Sequence, residues 1–350
     1  MAQAVTTFDV LILGQGLAGS TLAWRLAERG VSALVVDRGG VDEVGNPTAS
    51  RVAAGLITPV TGKRLTVADD FAALWESAAA FYRGVEKRCG ESLLEVAPAV
   101  RVFADAEERN AFLGRLAQGK FGDHARLADE SELPRDAATP HGAFVMPRAA
   151  RLRIASYLDT TRQWLEAEGR YIAADINPES DIELTPQGVR VPKLAVTARR
   201  LVLCHGLVAQ PPRWMSGVRF RPAKGEVLTI ESPGYREDRV LHCGVWLAPE
   251  SRAGSYRVGS TTEWNQLDST PTAAARAELL SRLSAAGIND AQVVEHLAAV
   301  RPATYDRKPT YGFSPDTPVI GWFNGLGAKG SLWAPFYASK MADLVVASLS

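Results

Sequence analysis

The chain has 350 residues, and its content of 46% hydrophobic and 22% charged residues is typical of an ordinary soluble globular protein. Its 39 basic and 39 acidic side chains balance each other, so no net charge draws the protein toward nucleic acid or an anionic membrane. We therefore expect neither a nucleic-acid partner nor a membrane partner.

The cysteines and histidines argue against the common redox and metal sites. Cys89, Cys204 and Cys243 are odd in number and form no CxxC pair, which disfavours a disulfide framework, a zinc knuckle and a redox dithiol. The histidines form no i, i+4 pair, so we expect no metal site.

The N-terminal stretch lacks the basic segment of a signal peptide, and no apolar run approaches the ~20 residues of a spanning helix. These patterns predict a cytoplasmic protein.

The first predicted unit is a strand, a glycine turn, a helix and a second strand over residues 8–39. The turn has the spacing GxGxxG, in which the glycines permit a tight turn, a close backbone approach to a pyrophosphate and close packing of helix on strand. The helix N-terminus offers free N–H groups to phosphate, and Asp37 closes the second strand, where an acid can bind the ribose hydroxyls of an adenosine. The unit therefore predicts a dinucleotide site. Its predicted contacts are Gly14, Gly16, Leu17, Ala18, Gly19, Asp37 and Arg38.

The middle of the chain mixes helical and antiparallel patterns. Helices are predicted over 66–89, 105–118, 148–168 and 272–286, and strands over 199–206, 226–230, 239–248, 255–264 and 291–300. Because antiparallel hairpins do not belong in a doubly wound parallel sheet, we expect an inserted second domain. The fold class is α/β (α+β overall), a Rossmann-like domain with an inserted antiparallel-sheet substrate domain. The expected limits are 1–80, 145–215 and 300–350 for the first domain, and 81–144 and 216–299 for the second.

A second glycine turn, "GLGAKG" at 325–330, opens into a final helix predicted from about Ser331 to Leu349. It places backbone N–H groups and a helix N-terminus against a group that becomes negative, as reduced flavin does at N1 and C2=O. This favours a flavin over a nicotinamide, for which we find no set of catalytic side chains. The alternative is a loop that only caps the last helix.

Five motifs in order carry a family resemblance: GxGxxG with Asp37, "ASRVAAG" (49–55), "VLCHG" (202–206), "VRPATYDRKPTYG" (300–312) and "GLGAKGSLWAP" (325–335). They resemble the D-amino-acid-oxidase-like family of FAD oxidoreductases, which includes glycine oxidase, sarcosine oxidase and the flavin domain of a bifunctional tRNA-modifying enzyme. The resemblance implies a discontinuous FAD domain with an antiparallel sheet over the flavin. It implies noncovalent FAD, since no cysteine follows Cys243 to serve the C-terminal attachment route. The flavin contacts it implies are Ser50, Arg51, Ala53, Ala54, Gly55, Gly206, Gly325, Gly327, Ala328, Lys329, Gly330 and Ser331.

The resemblance also implies a reaction: oxidation of the C–N bond of an amino acid or N-substituted amino acid by hydride transfer to flavin N5, with oxygen or an electron carrier as acceptor. We expect two catalytic residues. Arg301 ends a predicted strand, and its planar guanidinium matches the carboxylate of an amine substrate; a structural ion pair with Asp306 or Glu263 is the alternative. Lys329 is expected near the pyrimidine edge of the flavin or the substrate carboxylate, with a solvated lysine as the alternative.

Other assignments stay open at this point. Trp246, Tyr256 and Tyr311 fall where they could face the flavin, or they are ordinary core aromatics. The alternative functions are a 2-hydroxy-acid dehydrogenase of the same fold, a tRNA-side-chain oxidase and a flavoprotein without turnover. The balanced charge of the chain disfavours the tRNA reaction.

Overall fold

A computed structural model describes residues 5–208 and 212–350, so the first four residues of the N-terminal stretch discussed above lie outside the described part. Seven α-helices occur in that part: α1 (Leu17–Ala27), α2 (Ala49–Val52), α3 (Phe71–Cys89), α4 (Ala106–Ala117), α5 (Ile154–Ala167), α6 (Ala273–Ala285) and α7 (Gly330–Leu349). Its first eleven strands are β1 (Thr6–Leu13), β2 (Ala33–Asp37), β3 (Leu56–Ile57), β4 (Val60–Thr61), β5 (Thr66–Val67), β6 (Leu94–Val96), β7 (Ala99–Val102), β8 (Arg126–Leu127), β9 (Ala143–Met146), β10 (Ala150–Leu152) and β11 (Tyr171–Ala173). The remaining strands are β12 (Glu183–Thr185), β13 (Gly188–Val191), β14 (Val196–Leu203), β15 (Ala223–Glu231), β16 (Leu241–His242), β17 (Trp246–Pro249), β18 (Ser255–Gly259), β19 (Gln292–Arg301), β20 (Thr310–Phe313) and β21 (Ile320–Asn324).

The first large sheet is built around β1. Its order is β11-β2-β1-β14, and β14 then pairs with β21 at one end and with β13 at the other. The pairs β11/β2, β2/β1, β1/β14 and β14/β21 are parallel. In this register Leu13 lies opposite both Val36 and Leu203, so the segments that follow β1, β2 and β14 emerge at one edge of the sheet. Ligand sites of open parallel sheets form at this carboxyl edge.

Helices α1, α3, α5 and α7 cover one face of this sheet. They share one apolar core with the buried side chains of β1 and β2, as expected for parallel strands that are buried on both faces. The indoles of Trp24 and Trp164 stack with ring centroids 3.7 Å apart. At the start of α7, a Cβ built on Gly330 would approach Leu17 Cδ2 to 2.8 Å, so glycine at this position lets the first turns of α1 and α7 pack closely.

The second large sheet has the order β19-β15-β18-β17-β16-β7-β9-β8, and all its pairs except β16/β7 are antiparallel. Its core side chains pack with the apolar side of α6. There are also two short sheets, β3-β10-β6 and β4-β5. In the sequence, β3 to β6 come between β2 of the first large sheet and β7 of the second, and β10 comes between β9 of the second and β11 of the first. The mixed α/β fold class is thereby confirmed: one sheet has a parallel centre with antiparallel pairs β12/β13, β13/β14 and β20/β21, and the second sheet is built from segments inserted in its sequence.

The predicted elements agree with the structure where the pattern is local. The helix predicted over 272–286 is α6, and the strand predicted over 291–300 is β19. The limits expected at residues 81 and 145 lie inside α3 and β9, and the division into two domains stays a prediction. Among the described helices, none combines the length and the apolar character that crossing a bilayer requires.

Candidate active site

A cavity of about 1140 Å³ extends from the carboxyl edge of the first sheet to the face of the second. Asp37, which ends β2, and Asn46 line it, as do Trp246 and Arg301 of the second sheet. Both glycine turns of the sequence contribute to its wall. The cavity exceeds the roughly 300–1,000 Å³ of a site for a drug-sized ligand, so it has room for an extended ligand and a second small molecule.

The N-terminal glycine turn is fixed by close packing. Gly14 has φ +103°, and a Cβ there would lie 2.5 Å from the carbonyl oxygen of Cys204. A Cβ on Gly19 would lie 1.9 Å from the carbonyl oxygen of Gly14. Neither position therefore accepts a side chain, whatever the cavity binds.

The first turn of α1 is less free than the sequence suggested. The Leu17 N–H, expected to be open to a ligand, donates to the hydroxyl of Ser50 at 3.0 Å. Gly16 and Ala18 line the cavity beside it, and the first N–H groups of a helix have no acceptor within the helix itself. Ser50 therefore contacts the N-terminal turn of α1 as well as belonging to the α2 segment in which the sequence motif placed it.

Asp37 connects the N-terminal glycine turn to the loop after β2. Its carboxylate accepts the Gln15 N–H at 2.8 Å and the Gly40 N–H at 2.6 Å, and Arg162 Nη2 lies 3.7 Å away. The side chain lines the cavity, yet each oxygen already has a backbone partner. Asp37 thus holds the glycine turn against the loop after β2. Its neighbour Arg38 also lines the cavity and lies near Glu43 and Asp175.

Asp37→Ala is expected to weaken FAD binding at least tenfold, because it removes two hydrogen bonds to a charged acceptor that position the turn, each worth roughly 1.5–3 kcal/mol. The measurement is the FAD content released by acid precipitation, together with the Kd from titration of the apoprotein. Asp175→Ala is the matched control, since Asp175 also lines the cavity but its side chain is 75% exposed. An unchanged FAD Kd in Asp37→Ala would show that this carboxylate is dispensable.

The α2 segment lies along the middle of the cavity. Arg51 Nη1 forms an ion pair with Asp159 of α5 at 2.6 Å. The positive charge of Arg51 is therefore balanced within the protein. The carbonyls of Ala53 and Ala54 accept hydrogen bonds from Arg257 Nη1 (3.4 Å) and Arg151 Nε (3.2 Å). The next residue, Gly55, has φ +79°, and a Cβ there would lie 1.9 Å from the Leu152 carbonyl oxygen. The glycine is thus required by the neighbouring strand β10, a constraint that the sequence motif did not reveal.

The end of β14 forms the floor beside the glycine turn. Cys204 is buried, His205 is half-buried, and both line the cavity. Burial raises the pKa of the Cys204 thiol, so the side chain is a small core group and not a thiolate. Burial lowers the pKa of His205 to about 4, which leaves a neutral imidazole at pH 7. The following residue, Gly206, has φ +68°, and its carbonyl accepts Asn324 Nδ2 at 2.7 Å.

The C-terminal turn brings a second helix N-terminus to the cavity. Gly325 and Gly327 have positive φ values of +77° and +54°. A Cβ on Gly325 would lie 2.7 Å from Thr304 Cγ2, so the "RPAT" and "GLG" motifs pack against each other. The members of the turn that line the cavity are Leu326, Gly327, Ala328, Gly330 and Ser331.

Lys329, like Gly325, does not line the cavity. Its ammonium lies 5.9 Å from the centroid of the Trp333 ring, one turn into α7. Burial lowers the pKa of the Lys329 ammonium, and the nearby Asp69 acts in the opposite direction. The backbone of Lys329 serves as the N-cap of α7, while its half-buried side chain lies beside Trp333.

Arg301 is the last residue of β19 and lines the cavity. Its Nε donates to the Ala223 carbonyl at 3.3 Å, and its Nη2 donates to the carbonyls of Lys224 (3.1 Å) and Thr261 (3.0 Å). Within residues 5–208 and 212–350, no carboxylate lies within ion-pair distance of this guanidinium and no protein group accepts from Nη1. Burial accordingly lowers the pKa of Arg301, with no acidic side chain to oppose the effect.

The acidic residues considered as partners of Arg301 have other contacts. Glu263 accepts the N–H groups of Trp264 and Asn265, and Asp306 accepts the N–H of Lys308. The structural ion pair offered as the alternative role for Arg301 is therefore not formed.

Of the three candidate aromatic residues, one lines the cavity. Trp246 does so, whereas Tyr256 is buried in the core of the second sheet and Tyr311 packs against Tyr337 at 5.8 Å.

Two further residues were missed by sequence reasoning. Gly225 lies under the Arg301 guanidinium, where a Cβ would approach Nη2 to 2.8 Å, and Asn324 holds the end of β14. No sequence motif marks either residue, because each acts on a strand that is distant in the chain.

The chain matches the family model described as "DAO: FAD dependent oxidoreductase" over residues 9–344. It is similar to a bifunctional protein of tRNA 5-methylaminomethyl-2-thiouridine biosynthesis from Marinobacter nauticus, with 25% identity over 98% of this chain. The chain spans 56% of the length of that relative. It is 24% identical to glycine oxidase of Bacillus licheniformis, covering 97% of this chain and 93% of that protein. The crystal structure of glycine oxidase from Geobacillus kaustophilus superposes with a TM-score of 0.76 at 21% identity, covering 98% of this chain and 95% of that one.

Proposed function

Because the chain belongs to the DAO family of FAD-dependent oxidoreductases, we propose that this enzyme oxidises the C–N bond of a small carboxylated amine, an amino acid or N-substituted amino acid. The observation that carries the proposal is Arg301, a half-buried cation that lines the cavity without an acidic partner among the described residues. A charge largely removed from water without a counter-charge is costly. A substrate carboxylate would supply that counter-charge.

The cavity fits FAD in its size and in the chemistry of its wall. The turn before α1, with Ser50 beside it, would hold the pyrophosphate, and the polar end around Asp37 would hold the adenosine. The turn before α7 would contact the flavin ring, and its N-terminal N–H groups would stabilise negative charge there. When bound, FAD supplies the hydride acceptor, flavin N5. We further propose that it is held noncovalently and that oxygen or an electron carrier accepts the electrons.

Arg301 would bind the substrate through Nη1. Its Nε and Nη2 are occupied by backbone carbonyls, which fix the plane of the guanidinium and leave the two N–H groups of Nη1 for a carboxylate. Charge-assisted hydrogen bonds of this kind are roughly twice as strong as neutral ones. The protein's contribution is then to orient the substrate carbon, which explains why no acid–base dyad is needed beside it.

The test is anaerobic bleaching of the flavin absorbance by three small molecules of similar size. We expect glycine or its N-methyl derivative sarcosine to bleach the holoenzyme. Methylamine, which lacks the carboxylate, and glycolate, which has a hydroxyl in place of the amine, serve as matched controls and are expected to leave it yellow. Bleaching by glycolate alone would establish the 2-hydroxy-acid reaction instead. No bleaching by any amino acid, including a D-amino-acid panel, would refute the proposed oxidation.

A further inference from the structure

Two glycines on the cavity side of the second sheet make room for two large side chains from neighbouring strands. Gly225 of β15 lies under the guanidinium of Arg301 from β19, with a built Cβ 2.8 Å from Nη2. Gly259 of β18 lies under the indole of Trp246 from β17, with a built Cβ 2.5 Å from Cζ2. Any other residue at either position would displace the side chain above it. The two side chains therefore have defined positions on the sheet.

The strand register places these two positions next to each other. Gly259 pairs with Val227, which is two residues from Gly225 on the same face of β15. Diagonal neighbours of this type are roughly 7–8 Å apart. The Thr261 carbonyl, which accepts from Arg301, is likewise two residues from Gly259. Arg301 and Trp246 thus lie over adjacent glycines, and both line the cavity.

Trp246 is also held from the side. It packs against an apolar cluster of Val52, Val227 and Ala299, which joins α2 to β15 and β19. Its ring is half-buried, and part of it faces the cavity. Because this cluster and the sheet below it pack closely against the indole, a ligand that approaches cannot displace the ring without disturbing that packing.

We propose that Trp246 limits the size of the group carried on the substrate's α-carbon, so that the enzyme accepts small carboxylated amines and excludes amino acids with branched or aromatic side chains. This rests on the proposed function, because the argument starts from a carboxylate held by Arg301. The α-carbon is one bond from that carboxylate. Its substituents must therefore occupy the space within a few ångströms of the guanidinium, and the indole fills part of that space.

The first test compares Trp246→Ala and Trp246→Phe with wild type, using glycine and both enantiomers of phenylalanine as substrates. The ratio of kcat/KM for phenylalanine to that for glycine is expected to rise at least tenfold in Trp246→Ala and less in Trp246→Phe, which is the scale on which apolar pockets discriminate by size. Trp264→Ala is the matched control, because Trp264 is 56% exposed, and it should keep the wild-type ratio. An unchanged ratio in a folded, flavin-loaded Trp246→Ala protein would overturn the proposal.

A second measurement needs neither a variant nor turnover. Acetate, propionate and 3-phenylpropionate are titrated into the wild-type holoenzyme, and binding is followed by the change in flavin absorbance. Added apolar surface ordinarily strengthens binding, so a Kd that rises with chain length indicates exclusion by the indole and supports the proposal. A Kd that falls steadily with length would overturn it. If the size series holds while no amine bleaches the flavin, the proposed oxidation fails and the size limit stands.

Discussion

Arg301→Lys is expected to raise the KM for the carboxylated amine by roughly 10- to 100-fold, which corresponds to the loss of about 1.5–3 kcal/mol from a charged hydrogen bond. Lysine keeps the positive charge. However, its single ammonium group cannot contact the Ala223, Lys224 and Thr261 carbonyls and also present two N–H groups to a carboxylate, as the guanidinium does. Because those carbonyls lose part of their hydrogen bonding, we also expect a fall of a few degrees in Tm.

The effect of Arg301→Lys is measured by steady-state kinetics, with FAD content and Tm determined on the same preparations. Arg219→Lys is the matched control, since the Arg219 guanidinium lies 5.3 Å from the Tyr305 ring on the protein surface. A purely structural role for Arg301 predicts lost flavin without a selective effect on KM. A folded, flavin-loaded variant with the wild-type KM would remove the main support for an amino-acid substrate.

Lys224→Met is expected to have the largest effect on stability, lowering the free energy of unfolding by about 3–5 kcal/mol, as is typical when one partner of a buried ion pair is removed. Lys224 is 1% exposed, and its ammonium contacts Asp268 Oδ1 at 2.7 Å and the Thr270 carbonyl at 2.6 Å. Glu226 Oε1 lies 3.7 Å away and is also buried. Without the ammonium, the Glu226 carboxylate keeps its bonds to Thr272 but loses a neighbouring cation.

Denaturant unfolding of the holoenzyme measures the effect of Lys224→Met. The exposed Lys63→Met is the matched control, and the double variant Lys224→Met with Glu226→Gln should recover part of the loss, since the two residues interact. Asp268 and Thr270 line the cavity, so we also expect the single variant to release FAD faster. Equal stability of Lys224→Met and Lys63→Met would show that the buried cation contributes nothing.

The contribution of the Lys224–Asp268 contact to stability depends on pH. The hydrogen bond from Lys224 is the main cause that lowers the pKa of Asp268 from 3.8 to about 2. A lowered carboxyl pKa stabilises the folded state above the unfolded pKa, and that contribution is lost as the pH falls from about 4 to 2. The side chain of Asp268 is 44% exposed, so the contribution is reduced by solvent screening. The bond therefore persists throughout the neutral range.

The parts of the fold that could be predicted are those encoded by neighbouring residues. The GxGxxG turn and the final helix follow from spacing and periodicity within a few turns of chain, and the placement of Arg301 follows from a strand that ends before Pro302. What the sequence could not reveal depends on register between distant strands. The Arg301 guanidinium lies over Gly225, and the Trp246 indole lies over Gly259. For Lys329 the turn was predicted, but the direction of the side chain follows from how α7 starts.

The arrangement of the first sheet has a consequence for biosynthesis. Its central strand β14 pairs with β1 from the beginning of the chain and with β21 near the end, and the N-terminal turns of α1 and α7 pack through Leu17 and Gly330. A growing polypeptide on the ribosome has only one of these two walls until β21 and α7 have been synthesised. We therefore expect cofactor capture to follow the synthesis of these two elements, because FAD stabilises only a state in which both walls exist.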